Sequence, residues 1–104
     1  MQVRILPSAK RDLRNGFEFY QKQEPGVGDY FLESLSSDIG SLRLFAGIHR
    51  QHNESFRFTS KRFPYWIYYR IDDGVAYVTA VLDARRDPRY IEARTDDDRT
   101  PSGE

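Results

Sequence analysis

The stretch Phe63-Pro64-Tyr65-Trp66-Ile67-Tyr68-Tyr69-Arg70-Ile71-Asp72-Asp73-Gly74-Val75-Ala76-Tyr77-Val78-Thr79-Ala80-Val81-Leu82-Asp83-Ala84-Arg85-Arg86-Asp87-Pro88 decides the fold. Two runs of aromatic and β-branched residues flank Asp72-Asp73-Gly74, a pattern that predicts a β-hairpin. In the first run Tyr65, Ile67, Tyr69 and Ile71 share one face and Trp66, Tyr68 and Arg70 the other. Both faces are bulky, which places the strand inside a sheet. Val75 to Leu82 is apolar or small except at Thr79 and the Tyr77 hydroxyl, so the second strand is also expected to be covered on both sides. The hairpin then opens into an arginine-rich segment closed by Asp87-Pro88, a polar working end.

Upstream, Gln2 to Leu6 alternates and stops at Pro7, as a short first strand does. Ser8 reads as an N-cap. Ala9, Leu13, Phe17 and Tyr20 follow at spacings of four, four and three, which puts them on one face of a helix running to about Gln21. Asn15-Gly16 weakens this helix by roughly 1 kcal/mol, so packing must hold it. Gln23-Glu24-Pro25-Gly26 turns the chain into a second, antiparallel helix whose stripe, Val27, Phe31, Leu35, Ile39, Leu42 and Phe45 or Ala46, continues to a stop at Gly47. His49 to Ser55 reads as a solvated loop; its His49-x-x-His52 spacing has no third ligand nearby and is not taken as a metal site. Phe56 to Thr59 alternates as another strand, with Arg57 and Thr59 opposite the two phenylalanines. The expected fold class is therefore α+β, in the order β-α-α-β-β-β, with a helical hairpin packed on one face of a small, mainly antiparallel sheet. Asp87 caps a short helical turn with Pro88 at its first position, returning Tyr90 and Ile91 to the sheet.

With 104 residues the chain supports one core. Hydrophobic residues make up 38%, and seven Tyr, seven Phe and one Trp imply that rings supply much of the buried area. There is no cysteine, hence no disulfide and no thiolate metal site, and neither a signal-peptide pattern nor a membrane-spanning apolar run is present. A soluble cytoplasmic protein is expected, without cofactor or metal. The net charge is formally zero but uneven: residues 95–104 hold four acidic residues against one arginine, leaving residues 1–94 three positive charges in excess. The domain is accordingly assigned to residues 1–94 and a disordered acidic tail to 95–104. An excess that small fits either a solvated surface or an anionic partner.

From Val3 to about Tyr90 the chain resembles the RelE/ParE superfamily of toxins from bacterial type II toxin–antitoxin systems, which includes plasmid stabilisation proteins. The residues that carry the resemblance are Arg62 to Ile71, the strand Val75 to Leu82, Arg85-Arg86-Asp87-Pro88, the helix ending in Phe19-Tyr20, then Pro25-Gly26-Val27-Gly28 and Phe31-Leu32. The resemblance implies a growth-inhibiting toxin neutralised by a cognate antitoxin. ParE-like members are described as acting on DNA gyrase, RelE-like members as cutting messenger RNA in the ribosomal A site.

Cleavage of RNA by its own 2′-hydroxyl requires proton transfer and cations around the phosphate. By the resemblance, Arg57 matches a basic strand position and Tyr90 a late tyrosine, so a ribonuclease would use Arg57, Arg85, Arg86 and Tyr90. The set is incomplete. Thr59 stands where a lysine is expected, Trp66 and Ala84 where arginines are, and Asp83 where many relatives carry histidine. Asp83, with an ordinary pKa near ~3.9, is a poor acid at neutral pH. The plainer roles are ion pairs of Arg85 and Arg86 with Asp83 or Asp87, and Tyr90 as a cap on the sheet edge. Tyr65, Ile67, Tyr69 and Ile71 are assigned to the helices. That leaves Trp66 and Tyr68 partly open, and with Arg70 and Asp83 they form the expected target- or antitoxin-binding set. The favoured expectation is a ParE-like toxin that binds a protein target. A RelE-like ribonuclease and a degenerate, non-toxic member that only binds antitoxin are the alternatives.

Overall fold

The computed structural model describes residues 1–52 and 54–99. Its elements are β1 (Gln2–Ile5), α1 (Pro7–Gln23), α2 (Val27–Gly40), α3 (Leu42–Phe45), β2 (Arg50–His52), β3 (Ser55–Thr59), β4 (Tyr65–Asp72), β5 (Val75–Asp83) and α4 (Pro88–Arg99). The expected α+β class is observed. The five strands lie in the order β1-β5-β4-β3-β2, with β1 parallel to β5 and the other pairs antiparallel. The decisive hairpin is central. Its two-residue turn puts Asp73 at φ 49° and Gly74 at φ 77°, the left-handed pair that a tight hairpin twist requires.

The register of β4 against β5 slips between Tyr68 and Tyr69: Tyr68 pairs with Ala80 and Tyr69 with Val78, leaving Thr79 as the extra residue of a bulge. The slip explains why β5 reads as apolar without alternation. Ala76 and Val78, then Val81, face the helical hairpin, while Ala80 and Leu82 face the other way.

On the hairpin side, α1 and α2 cover a core in which Phe31, Leu35, Leu42, Ile67, Tyr69 and Val78 are fully buried. Gly16 has a positive role here: a Cβ at this position would come 2.5 Å from the Phe31 ring, so its absence lets the two helices close. Two buried carboxylates pin this layer to the sheet. Asp38 of α2 accepts the Ser60 hydroxyl (2.6 Å) and the Lys61 N–H (3.2 Å). On the other side, β1 pairs only as far as Val78, so the outer edge of β5 beyond it needs other partners. Two side chains one turn apart on α1 supply them: Ser8 donates to the Thr79 carbonyl (2.8 Å), and Asp12 accepts the Val81 N–H (3.0 Å).

Several expectations are corrected. Leu6, not Ser8, is the N-cap of α1, because Pro7 already occupies the first helical turn and Ser8 is spent on the sheet edge. The second helix breaks at Ser41, whose hydroxyl bonds back to the Asp38 carbonyl (2.6 Å) just after Gly40. The segment after Gly47 is not a solvated loop: Arg50–His52 pairs with β3 as an edge strand, and His49 stacks on Phe58 (4.3 Å) with its Nδ1 2.6 Å from the Tyr69 hydroxyl. The helices do not all lie on one face. α4 is a twelve-residue helix that covers the opposite side of the sheet through Ile91, and it carries on past Arg94, where disorder was expected, with Thr95 buried. Residues 100–104 of the expected tail lie outside the described residues. Among the described residues, no helix is long and apolar enough to cross a membrane.

Candidate functional site

α4 starts where the arginine-rich segment ends. Asp87 accepts the Arg89 N–H on its side chain (2.9 Å), and Tyr90 and Ile91 donate to its carbonyl, so the cap and the first-turn proline act as the sequence suggests. The helix thereby brings Tyr90 and Ile91 against Trp66, Tyr68, Ala80 and Leu82. Tyr68 is only 1% exposed, so the structure removes it from any open binding face; the cause is the cover supplied by α4. Trp66 stays half-buried.

The cations around this end fall into two groups. Arg85 forms a two-point pair with Asp83, Nε to Oδ1 at 2.9 Å and Nη2 to Oδ2 at 2.7 Å, and also reaches the Tyr20 hydroxyl at 3.4 Å. Arg89 pairs with Asp87, and Arg94 clasps both oxygens of Asp12 at 2.7 and 2.9 Å. Arg57 and Arg86 instead lie on rings: the Arg57 guanidinium is 4.1 Å from the centre of the Trp66 indole, and that of Arg86 3.9 Å from the centre of Tyr90. Neither has a carboxylate partner among the described residues. Arg86 lines two adjoining clefts. One, of about 280 Å³, is framed by Asp12, Asn15 and Phe19 of α1 together with Tyr65, Asp83 and Tyr90. The other, of about 230 Å³, runs between Arg57, Trp66, Ala84, Pro88, Ile91 and Glu92.

Of the sequence-selected residues, Arg57, Trp66, Arg86 and Tyr90 gather around these clefts. Asp83 also lines the larger cleft, but it is engaged with Arg85, which stands beside it. Arg70 lies apart: it pairs with Tyr77 near the hairpin turn and is roughly 13 Å along the strand from Trp66, at about 3.3 Å per residue. Sequence reasoning missed Asp12 and Arg94. Asp12 sits on the flank of the α1 stripe, where a charged residue gives no warning that it is buried, and its partner is 82 positions away.

Two groups at this end titrate away from their ordinary values. Hydrogen bonds from Arg85 hold the Asp83 carboxyl below the usual carboxylate range. Burial, helped by the neighbouring Tyr20 and Asp83, pushes the Tyr65 hydroxyl up to about 12. Both groups move away from the range in which a general acid or base works best. His49 belongs to the opposite, β2–β3 side of the helix-facing core, and burial lowers its pKa.

Comparison with known proteins follows the same lines. The family model described as the ParE toxin of the type II toxin–antitoxin system, parDE, matches residues 3–88. A chain of the chromosomal ParDE toxin–antitoxin system from P. aeruginosa superposes with a TM-score of 0.74 at 16% identity, covering 80% of this chain and 95% of its own. The isolated RelE toxin of E. coli superposes with a TM-score of 0.58 at 18% identity, covering 91% and 96% respectively. No curated relative matches the chain.

Proposed function

This chain belongs to the ParE toxin family of type II toxin–antitoxin systems, and we propose that it inhibits growth by binding a cellular protein target, DNA gyrase, and is neutralised by a cognate antitoxin. The observation that carries this reading is the state of the polar end. Asp83, its carboxylate at the close of β5, is tied to Arg85 by two side-chain bonds and is held ionised. A ribonuclease would need a proton acceptor and a donor working near pH 7 beside free cations. Here the cations that make no salt bridge lie over rings, the ionised carboxylate is paired with Arg85, and Tyr65 is a weaker acid than an ordinary tyrosine. A charged, ring-bearing end of this kind suits recognition better than turnover.

The test is DNA supercoiling by purified gyrase with the full-length chain added. Inhibition of supercoiling, relieved by the cognate antitoxin, is expected. Unchanged supercoiling without trapped DNA breaks would overturn the gyrase assignment. Primer extension on ribosome-bound message is expected to show no A-site cuts; cuts that vanish on Tyr90→Phe would replace the binding reading with the ribonuclease one.

A further inference from the structure

We propose that the cleft between Arg57 and Arg86 is a carboxylate-recognition notch that docks an acidic segment of a partner protein; the inference rests on the binding role proposed above and names the chemistry of the partner. Five arginines surround the open end of the hairpin, and three of them already have carboxylates: Arg85 on Asp83 (2.7 Å), Arg89 on Asp87 (3.1 Å) and Arg94 on Asp12 (2.7 Å). Arg57 and Arg86 line one cleft of about 230 Å³, lie over the rings of Trp66 and Tyr90, and make no salt bridge among the described residues, although Arg86 also feels the nearby charge of Asp83.

Stacking does two things to a guanidinium. It holds the plane against the ring, which lowers the entropy lost when a ligand binds, and it leaves the N–H edges free in that plane. Such an edge is a fork that fits the two oxygens of a carboxylate. Two forks in one cleft call for an anionic occupant. Glu92 also lines the cleft, and one carboxylate against two guanidinium groups still leaves a positive excess. Between them the walls are apolar, formed by Ala84, Pro88, Ile91 and the edge of Trp66. A segment in which acidic side chains alternate with short apolar ones meets both features.

Nucleic acid fits less well. Base recognition by proteins of this size uses open ring faces for stacking. Here a face of Trp66 and a face of Tyr90 are already covered by the protein's own arginines. The cleft is also smaller than the ~300–1,000 Å³ of common small-molecule sites, whereas a carboxylate side chain needs far less.

The experiment uses the full-length, isotope-labelled chain and two probes: a fluorescent heptapeptide alternating glutamate with alanine or leucine, and a short single-stranded RNA. Peptide binding is expected by fluorescence anisotropy, with shifts of the Trp66 indole N–H signal. Replacing the peptide's glutamates with glutamine should weaken binding by about tenfold or more. Arg57→Lys and Arg86→Lys, which keep the charge but remove the planar fork, should each weaken it by about fivefold. Lys10→Gln, on exposed α1 surface, should change nothing. Amide spectra verify that each variant is folded. Absence of peptide binding, equal binding by the lysine variants, equal loss in Lys10→Gln, or RNA displacing the peptide at Trp66 would each overturn the proposal. Because binding is read directly, failure of gyrase inhibition bears on the target assignment and not on this notch.

Discussion

The two faces of the sheet are built unequally. On the face of α1 and α2, long side chains from the helices and the two central strands interlock: Phe31, Leu35 and Ile39 of α2 and Leu42 of α3 meet Ile67, Tyr69, Val78 and Val81, all buried. The face of α4 has a small set, Tyr68, Ala80, Leu82 and Ile91, with Trp66 and Tyr90 half-buried at its margin. A large core supplies stability in proportion to the apolar area removed from water. A thin one leaves aromatic edges and charges at the surface, and that is where Arg57 and Arg86 find their rings. In this protein one face carries the larger core and the other leaves rings and cations at the surface.

Substitutions on each face measure how unequal they are. Phe31→Ala should have the largest effect, destabilising by about 3–5 kcal/mol in urea unfolding, since it empties the centre of the helical hairpin and removes the ring that Gly16 seats. Asp12→Ala comes next, at about 3 kcal/mol, because it deletes the acceptor of the Val81 N–H and of two bonds from Arg94, and so touches both faces at once. Ile91→Ala should cost about 2 kcal/mol. Its hydrogen-exchange signature should be confined to α4, with the amides of α2 still protected. An Ile91 loss equal to that of Phe31, or one spread over the whole chain, would break the distinction between the faces.

The smallest effects are in the pH dependence. His49 packs on the hairpin side, and burial lowers its pKa below the ordinary 6.5. A depressed folded value means that its contribution is complete above pH 6.5 and is lost as pH falls through the folded pKa. Asp83 is likewise depressed, chiefly by its bonds from Arg85, so its contribution holds down to about pH 4 and is lost below that. Thermal unfolding as a function of pH should therefore fall in two stages, the lower one small because the Arg85 partner of Asp83 is largely exposed. His49→Gln should abolish the upper stage and Asp83→Asn the lower.

Much of this architecture is legible in local pattern. The hairpin of β4 and β5, the tight turn at Asp73-Gly74, the helical hairpin with its stripe through Phe31 and Leu35, and the cap at Asp87-Pro88 each rest on residues close in sequence. What escaped the pattern was non-local. Arg50–His52 has no apolar alternation and becomes a strand only because β3 offers an edge to pair with. The length of α4 was hidden because its hydrophilic composition resembles a solvated tail, and it is anchored by the contact of Ile91 with Tyr68 and Leu82 and by the distant pair of Arg94 and Asp12. Once that helix is in place, Tyr68 changes from an exposed binding residue to a buried one.

Of the candidate site, the residue types were readable and the pairing was not. Arg57, Trp66, Arg86 and Tyr90 could be selected from their positions in the chain, because strand alternation and a capped helix dictate the end of the sheet at which they emerge. Which arginine spends its charge on Asp83, which lies on a ring, and which reaches Asp12 from the far end of the chain depended on side chains brought together from five separate elements. By itself the sequence determined the two-sided hairpin, because hydrophobic periodicity acts over neighbouring residues. Only the tertiary structure decided which face closes and which charges stay available, because burial and ion pairing depend on distances that sequence separation does not encode.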